Sequence, residues 1–512
     1  MRYIRKALSI DMRSLAALRI ALGLMLLIDL TARAGNLTAH YTDAGVFPRA
    51  LRIELDAAEA ASGENYHWSL HMLSGERWAQ AAMFALAGGG ALAMLAGYRT
   101  RLATIVSLVM TVSLQTRNPL VADAGDLILK CLLFWSMFLP LGAAASFDRL
   151  LRPDDAPPPK GVFSAASAAL LLQVCMIYWS TAAEKHDPIW TRDYTALYYT
   201  LSLDTFAKPL AHWLLQFPRL LVGLTAVTYW AEWLGPVLAL APLFKGGIRA
   251  AVALFFCLLH LGTAITMELG LLPWIAMTAW LPFLPGGVWD RLAGLISRFA
   301  AARGRLGAAG SSTARHFEAW LGRPAAPYAP AGRLTNCLVV LLLAYTAVWN
   351  VNRITKWLDG NASVPRQWKT VGIVTGLEQA WPMFAPYPMT SDGWFVMKGV
   401  LADGAVVNLW QPGEPLPWRK PASVRTTFRG RRWAKYLQNL LSDEYGVYIP
   451  GLAAWLRRRW NQEFAGNSPD RRVRSVEIVY QIEETLSPGR KSSLVTPYIL
   501  WRSHDEPPDA PP

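Results

Sequence analysis

Nine apolar runs recur along the first two thirds of this 512-residue chain. Most of them reach the roughly 17 to 25 residues that a helix needs to cross a hydrocarbon core of about 30 Å. In lipid every backbone N–H and C=O must find a partner within the protein, so runs of this length can fold only as helices. They lie near Ser14–Thr31, Trp78–Gly97, Leu102–Leu114, Asp126–Ala143, Phe163–Ala183, Leu220–Phe244, Ala250–Met267, Leu269–Leu284 and Leu334–Val351. The third is short, and the seventh and eighth, parted by a tight turn, form a hairpin. Composition agrees, with 53% hydrophobic and 17% charged residues against about 25% charged in soluble domains. Arg2, Arg5 and Lys6 before the first run and Ala32-Arg33-Ala34 after it imitate a signal peptide. The apolar run exceeds the roughly 7 to 15 residues of such a signal and reads as a helix; cleavage would leave eight spans in the same orientation.

The net charge of +14 raises nucleic acid as a partner until the basic residues are located. With the N-terminus in the cytoplasm, the inner segments hold 18 Lys and Arg and the outer segments up to residue 219 hold 9, over similar lengths. That bias predicts a multi-pass inner-membrane protein, N-terminus inside, with everything after Val351 outside. The charge is then mostly topology, and the lipid bilayer, not nucleic acid, is the partner. The basic and aromatic stretches "RGRRWAKY" and "WLRRRW" are read as solvated helix faces, or as neighbours of anionic headgroups.

The expected fold is therefore an all-α polytopic membrane bundle of about nine helices (1–351, with a cytoplasmic loop at 286–333) followed by a small α+β extracytoplasmic domain (352–504). "DGWFVMKGVLADGAVVNLW" alternates around Asp403-Gly404, a hairpin signal, and "RRVRSVEIVYQI" and "SLVTPYILW" read as strands. Arg432–Leu441 and Leu452–Trp460 read as helices, the loop as a linker with an amphipathic helix, and the tail 505–512 as disordered. Cys131, Cys175, Cys257 and Cys337 lie in apolar runs without metal spacing. His67 and His71 share a helical face but find no third ligand, so no metal is expected, and no phosphate loop or GxSxG occurs.

Ionisable residues inside spans cost a few kcal/mol each and call for a partner or a function. They are Arg19, Asp29, Asp126, Lys130, Glu232, His260 and Glu268, with Lys185 at the outer lip. Asp126 and Lys130 can neutralise one another at i,i+4, Arg19 and Glu232 can pair between helices, and Asp29 and Glu268 lie near ends where water reaches. His260, deep in "FFCLLHLGTAIT", needs a polar neighbour. Lys185 either snorkels and pairs with Glu184 or Asp187, or is packed over, loses its proton and serves as a base. Trp190, Tyr194 and Tyr198, spaced i,i+4, would line one face of an interfacial helix, as a headgroup anchor or as cover for a ring-shaped ligand.

"KHDPIW" after a span, "FFCLLHLGTAITMELGLL" with Gly270 ten residues past His260, "SLAALRIALGLMLLIDL", "TRNPLVADAGDLILKCLLFW" and "WPMFAPYPMTSDGWFV" together resemble the horizontally transferred transmembrane (HTTM) domain family and the vitamin K-dependent γ-carboxylases. The resemblance spans roughly residues 10 to 410. It implies a nine-helix enzyme fold in which a reduced quinone of the vitamin K type is deprotonated and oxygenated, and the base so formed drives carboxylation of peptide Glu. Carried over, Lys185 is the amine that deprotonates the quinol, and His260 belongs to the same pocket. Where the carboxylases have Asn-His, this chain has Gly125-Asp126, so the His tied to carboxylation is replaced and quinol chemistry is what the resemblance retains. The first reading is quinol-linked modification of an exported peptide or protein, with Lys185 as base, His260 and Asp126 in support and Trp190, Tyr194 and Tyr198 as cover. The second is a non-catalytic maturation or immunity partner of an exported peptide, and the third, a transporter, lacks an inverted repeat.

Overall fold

Each of the nine apolar runs forms helix in the computed structural model, which describes residues 2–61, 67–151, 160–241, 243, 246–304, 331–359, 365–487 and 494–503. The helices are α1 (Met12–Ala34), α2 (Arg77–Ala96), α3 (Thr100–Arg117), α4 (Ala124–Ser136), α5 (Ala165–Glu184), α6 (Pro218–Leu240), α7 (Gly247–Thr266), α8 (Leu272–Ala279) and α9 (Arg333–Asp359). Five of these, α1, α2, α5, α7 and α9, are long and apolar enough to cross a membrane, which is compatible with a multi-pass membrane protein. Helix starts follow local chemistry. Asp11 accepts the N–H of Arg13 ahead of α1, and Ser164 with Ser167 closes a capping box ahead of α5. Helix α5 is the hub, with α4, α6 and α9 packed around it. Leu254, Leu258, Leu261 and Ile265 of α7 and Leu338, Leu341 and Val348 of α9 are exposed, an outward apolar surface of the kind lipid contact requires. Helix Gly286–Gly304 stands at the start of the 286–333 loop; residues 305–330 and the tail 505–512, the latter expected from composition to be disordered, lie outside the described residues.

The C-terminal region builds one antiparallel sheet, in the order β2 (Val406–Asn408), β1 (Ser391–Leu401), β3 (Val473–Glu484), β4 (Val495–Arg502). The hairpin turns at Asp403-Gly404, where Gly404 takes φ +87°, a conformation that glycine adopts without a Cβ penalty. Helices α10 (Arg366–Thr375), α11 (Arg431–Asn439) and α12 (Ile449–Glu463) complete it. This region shares its core with the helical part. Trp433, Tyr436 and Leu437 of α11 and Trp455 and Trp460 of α12 belong to one apolar cluster with Val46, Phe47, Phe84 and Leu120.

A buried ion cluster ties the two parts together. Arg33 donates to Asp29 (2.7 Å), Asp126 (2.5 Å) and the Tyr41 hydroxyl (2.8 Å). From α11, Arg432 donates to Asp29 (2.6 Å), to Oδ1 of Asp126 (2.9 Å) and to the Val121 carbonyl (2.9 Å), with a further close bond to Oδ2 of Asp126. Burial and Arg33 oppose the charge on Arg432, but Asp126, Asp29 and Asp123 outweigh them and hold its pKa above the usual value.

Three sequence expectations are corrected here. Asp126 is neutralised by two arginines, one of them more than three hundred residues away, and not by Lys130. Asp29 is buried rather than wet. "RGRRWAKY" is no solvated face, since Trp433 and Tyr436 are core and Arg432 is the clamp. "WLRRRW" likewise buries both tryptophans and spreads Arg459 over Trp455 (5.6 Å).

Removing one member of a buried ion cluster strands the others without counter-charge, at a cost of about 3–5 kcal/mol. Arg432→Met is therefore expected to loosen the C-terminal region, read out as a lower thermal midpoint and faster proteolysis between residues 401 and 470. His40 adds a pH dependence. It packs edge-on against Trp433 at 4.4 Å, and burial, followed by the charges of Arg33 and Arg432, lowers its pKa to about 3. The unfolded chain takes that proton near pH 6.5, so stability falls as the pH drops from about 6.5 toward about 3. His40→Phe should flatten part of that slope in thermal unfolding across the window.

Candidate functional site

Helix α5 ends at Glu184, and "KHDP" reverses the chain because Asp187 caps the short helix Pro188–Thr191 through the N–H of Ile189 (2.9 Å). The reversal folds Lys185 inward. Its ammonium lies 2.6 and 2.7 Å from the two carboxylate oxygens of Glu232 on α6, and 4.3 Å from the centre of the Trp190 ring. Lys185 is 4% exposed and Glu232 8%. Trp190 is held in place by its indole N–H on the carbonyl of Phe384 (2.9 Å), so the "WPMFAPYP" segment closes over the site.

His260 continues the polar layer. Its Nε2 is 2.6 Å from the Tyr178 hydroxyl on α5, which accepts the indole N–H of Trp280 (2.8 Å). The phenol oxygen keeps a second lone pair and its own hydrogen, so the tautomer of His260 sets which of the two atoms donates. The Lys185 charge acts on His260, and Glu232 on Tyr178, so the two groups share one electrostatic neighbourhood. Phe256 stacks on Trp280 at 4.3 Å and walls this layer with apolar surface.

The candidate residues are thus divided. Lys185, His260 and Trp190 come together; Asp126 does not join them, because it is held in the cluster of Asp29, Arg33 and Arg432. Two pairings are overturned as well. Lys185 pairs with Glu232 and not with Glu184 or Asp187, and Arg19, which bonds the Ala145 carbonyl near Asp148, is not the partner of Glu232. The continuous aromatic helix is also corrected. The chain breaks after Thr191, Tyr194 adopts φ +50°, and helix resumes at Ala196–Ser202. Tyr194 accepts the indole N–H of Trp230 (3.3 Å), and Tyr198 packs edge-on to Tyr199, so neither joins Trp190 as cover. His67 and His71 part company too: His67 faces Glu378 at 3.9 Å and His71 bonds Ser113 (2.7 Å). Among the described residues no group of three or more His, Cys, Asp or Glu could hold a metal.

A charge count of the spans misses the uncharged part of the layer. Trp135 donates to Gln173 (3.1 Å), Gln173 to Gln379 (2.8 Å), Trp381 to both Gln379 and Asn350 (3.1 Å each), and Ser180 to Asn350 (3.1 Å). The available signal was two amides, Gln173 and Asn350, inside apolar runs, since an amide in that setting also requires partners. A Cβ at Gly125 would sit 3.1 Å from the Cα of Leu272, so the start of α4 packs closely against the backbone of α8.

No protein-family model matches the chain, and no curated protein or solved structure is similar to it.

A buried pair is expected to behave as a unit. Lys185→Met alone and Glu232→Gln alone each leave a stranded group and should lower stability by about 3–5 kcal/mol. The Lys185→Met/Glu232→Gln double variant should recover most of that loss in detergent-solubilised unfolding; equal and additive losses would refute the pairing.

Proposed function

We propose that the chain is an integral inner-membrane protein of the HTTM type, related to the vitamin K-dependent carboxylases. In this reading it has nine spans, a cytoplasmic N-terminus and an external C-terminal region. Its activity is proton exchange with a lipid-soluble, quinol-like substrate, coupled to modification of an exported peptide or protein. The observation that supports this reading is the Lys185–Glu232 pair, sealed under Trp190 next to the His260–Tyr178 bond.

The pair alters the chemistry expected of Lys185. An isolated dry amine sheds its proton, whereas an amine gripped by a carboxylate keeps it. With the ammonium of Lys185 donating to both of its oxygens, Glu232 carries the free lone pairs of the pair and is the group that would accept a substrate proton, while Lys185 holds that carboxylate in place. Trp190 excludes water above the amine, and Tyr178 and His260 can pass one proton between oxygen and Nε2. The polar set suits a weakly acidic group, with one acid–base pair and one imidazole, while Phe256 and Trp280, stacked on each other, wall the layer. A reduced quinone, when bound, would supply the reducing equivalents for oxygenation.

The separation of Asp126 from Lys185 favours a second reading, a non-catalytic maturation or immunity partner that binds through its C-terminal region. The two readings diverge in the double variant Lys185→Met/Glu232→Gln, which removes both charges together and spares the fold. Under the enzyme reading, quinol consumption by purified membranes and the mass change on exported proteins fall by about a hundredfold or more. Unaltered function in that variant would end the proton-exchange proposal and leave the binding one.

A further inference from the structure

The "RGRRWAKY" stretch holds a second, separate feature. Between the α7–α8 turn, the end of α1 and the start of α11 lies a cavity of about 180 Å³, far larger than the roughly 30 Å³ share of one water. Its lining includes Arg429, Arg431 and Arg432 against Asp29 and Asp123. Arg432 is consumed by Asp29 and Asp126, with Asp123 3.5 Å away and Arg33 bonded to the same two carboxylates.

Arg431 makes no ion pair of this kind, although the charges of Asp123 and Glu268 act on it. Its Nε and Nη1 are buried and make no hydrogen bond, although its guanidinium rests on the Phe206 ring at 5.1 Å. Its stem is fixed by Gly270, where a Cβ would fall 2.9 Å from Cγ of Arg431 and where φ is +62°. The same residue opens α11, a nine-residue helix that no side chain caps. A helix start without a side-chain cap and a guanidinium with two unbonded nitrogens meet at one cavity.

We propose that this cavity binds a singly charged, phosphate-type oxyanion, held by Arg431 and the first N–H groups of α11. A free phosphate or the phosphodiester of a lipid headgroup would present the same oxygens, and the cavity sits where α1, α4 and α8 end or begin, at the level of a proposed bilayer surface. Burial weakens the charged form of Arg431 and, one turn on, of Lys435; a bound anion would relieve both. This site shares no residue with the Lys185–Glu232 layer and stands whether or not that layer is catalytic.

The test uses the full chain, purified in detergent and followed by thermal unfolding. One arm titrates inorganic phosphate against chloride at matched ionic strength; the other compares vesicles of phosphatidylcholine with vesicles containing phosphatidylglycerol. Stabilisation by phosphate assigns a free ligand, and stabilisation by phosphatidylglycerol alone assigns a headgroup. In either case Arg431→Gln should raise the half-saturating concentration at least about tenfold. Stabilisation by neither probe, or an equal response in Arg431→Gln, overturns the proposal. Should Arg431→Gln fail to fold, Ala32→Trp, which narrows the mouth and leaves every charge in place, decides instead: a lost response supports the site and a retained one overturns it.

Discussion

A buried charge in a low-dielectric interior must be met by an opposite charge and by hydrogen bonds, and the architecture of this protein follows from how that demand is satisfied. Two clusters do so in different ways. Asp29, Arg33, Asp126 and Arg432 bond to one another, with Tyr41 and the Val121 carbonyl as further acceptors and Asp123 3.5 Å from Arg432. The cluster joins the ends of α1 and α4 to the start of α11, so a polar contact fixes where the C-terminal region sits on the bundle. Apolar packing among Trp433, Tyr436, Phe47 and Leu120 then surrounds it.

The second cluster is smaller. Lys185 and Glu232 form an ion pair with each other, under the Trp190 ring. Such a pair contributes little net stability compared with an apolar substitute of similar volume. Its presence beside Trp190 is therefore not accounted for by folding stability, and this is the basis on which proton chemistry is proposed for it. Functional sites are where a chain departs from the consistency seen elsewhere.

Much of the fold was legible from the residues. The nine apolar runs mark nine helical segments, because a 3.6-residue period and a long apolar stretch leave few alternatives, although among the described residues five helices have the length and apolarity of a span. The Asp403-Gly404 turn and the alternation on either side of it place β1 and β2. At the site the chemistry-bearing residues could be named, Lys185 and His260 among them, but their partners could not. Asp126 has Lys130 as an i,i+4 neighbour and bonds Arg432 instead, a contact that no local spacing reveals. The aromatic spacing of Trp190, Tyr194 and Tyr198 suggested one helix face, yet the left-handed backbone at Tyr194 breaks it.

By itself the sequence determined which segments are apolar enough to become helices, where strands alternate and which side chains are costly to bury, since these depend on composition and local period. Tertiary structure alone decided which costly side chains meet. Glu232 could have answered Arg19 or Lys185, and the choice rests on the rotation of α6 against α5, a packing angle set by many weak contacts that no local stretch encodes.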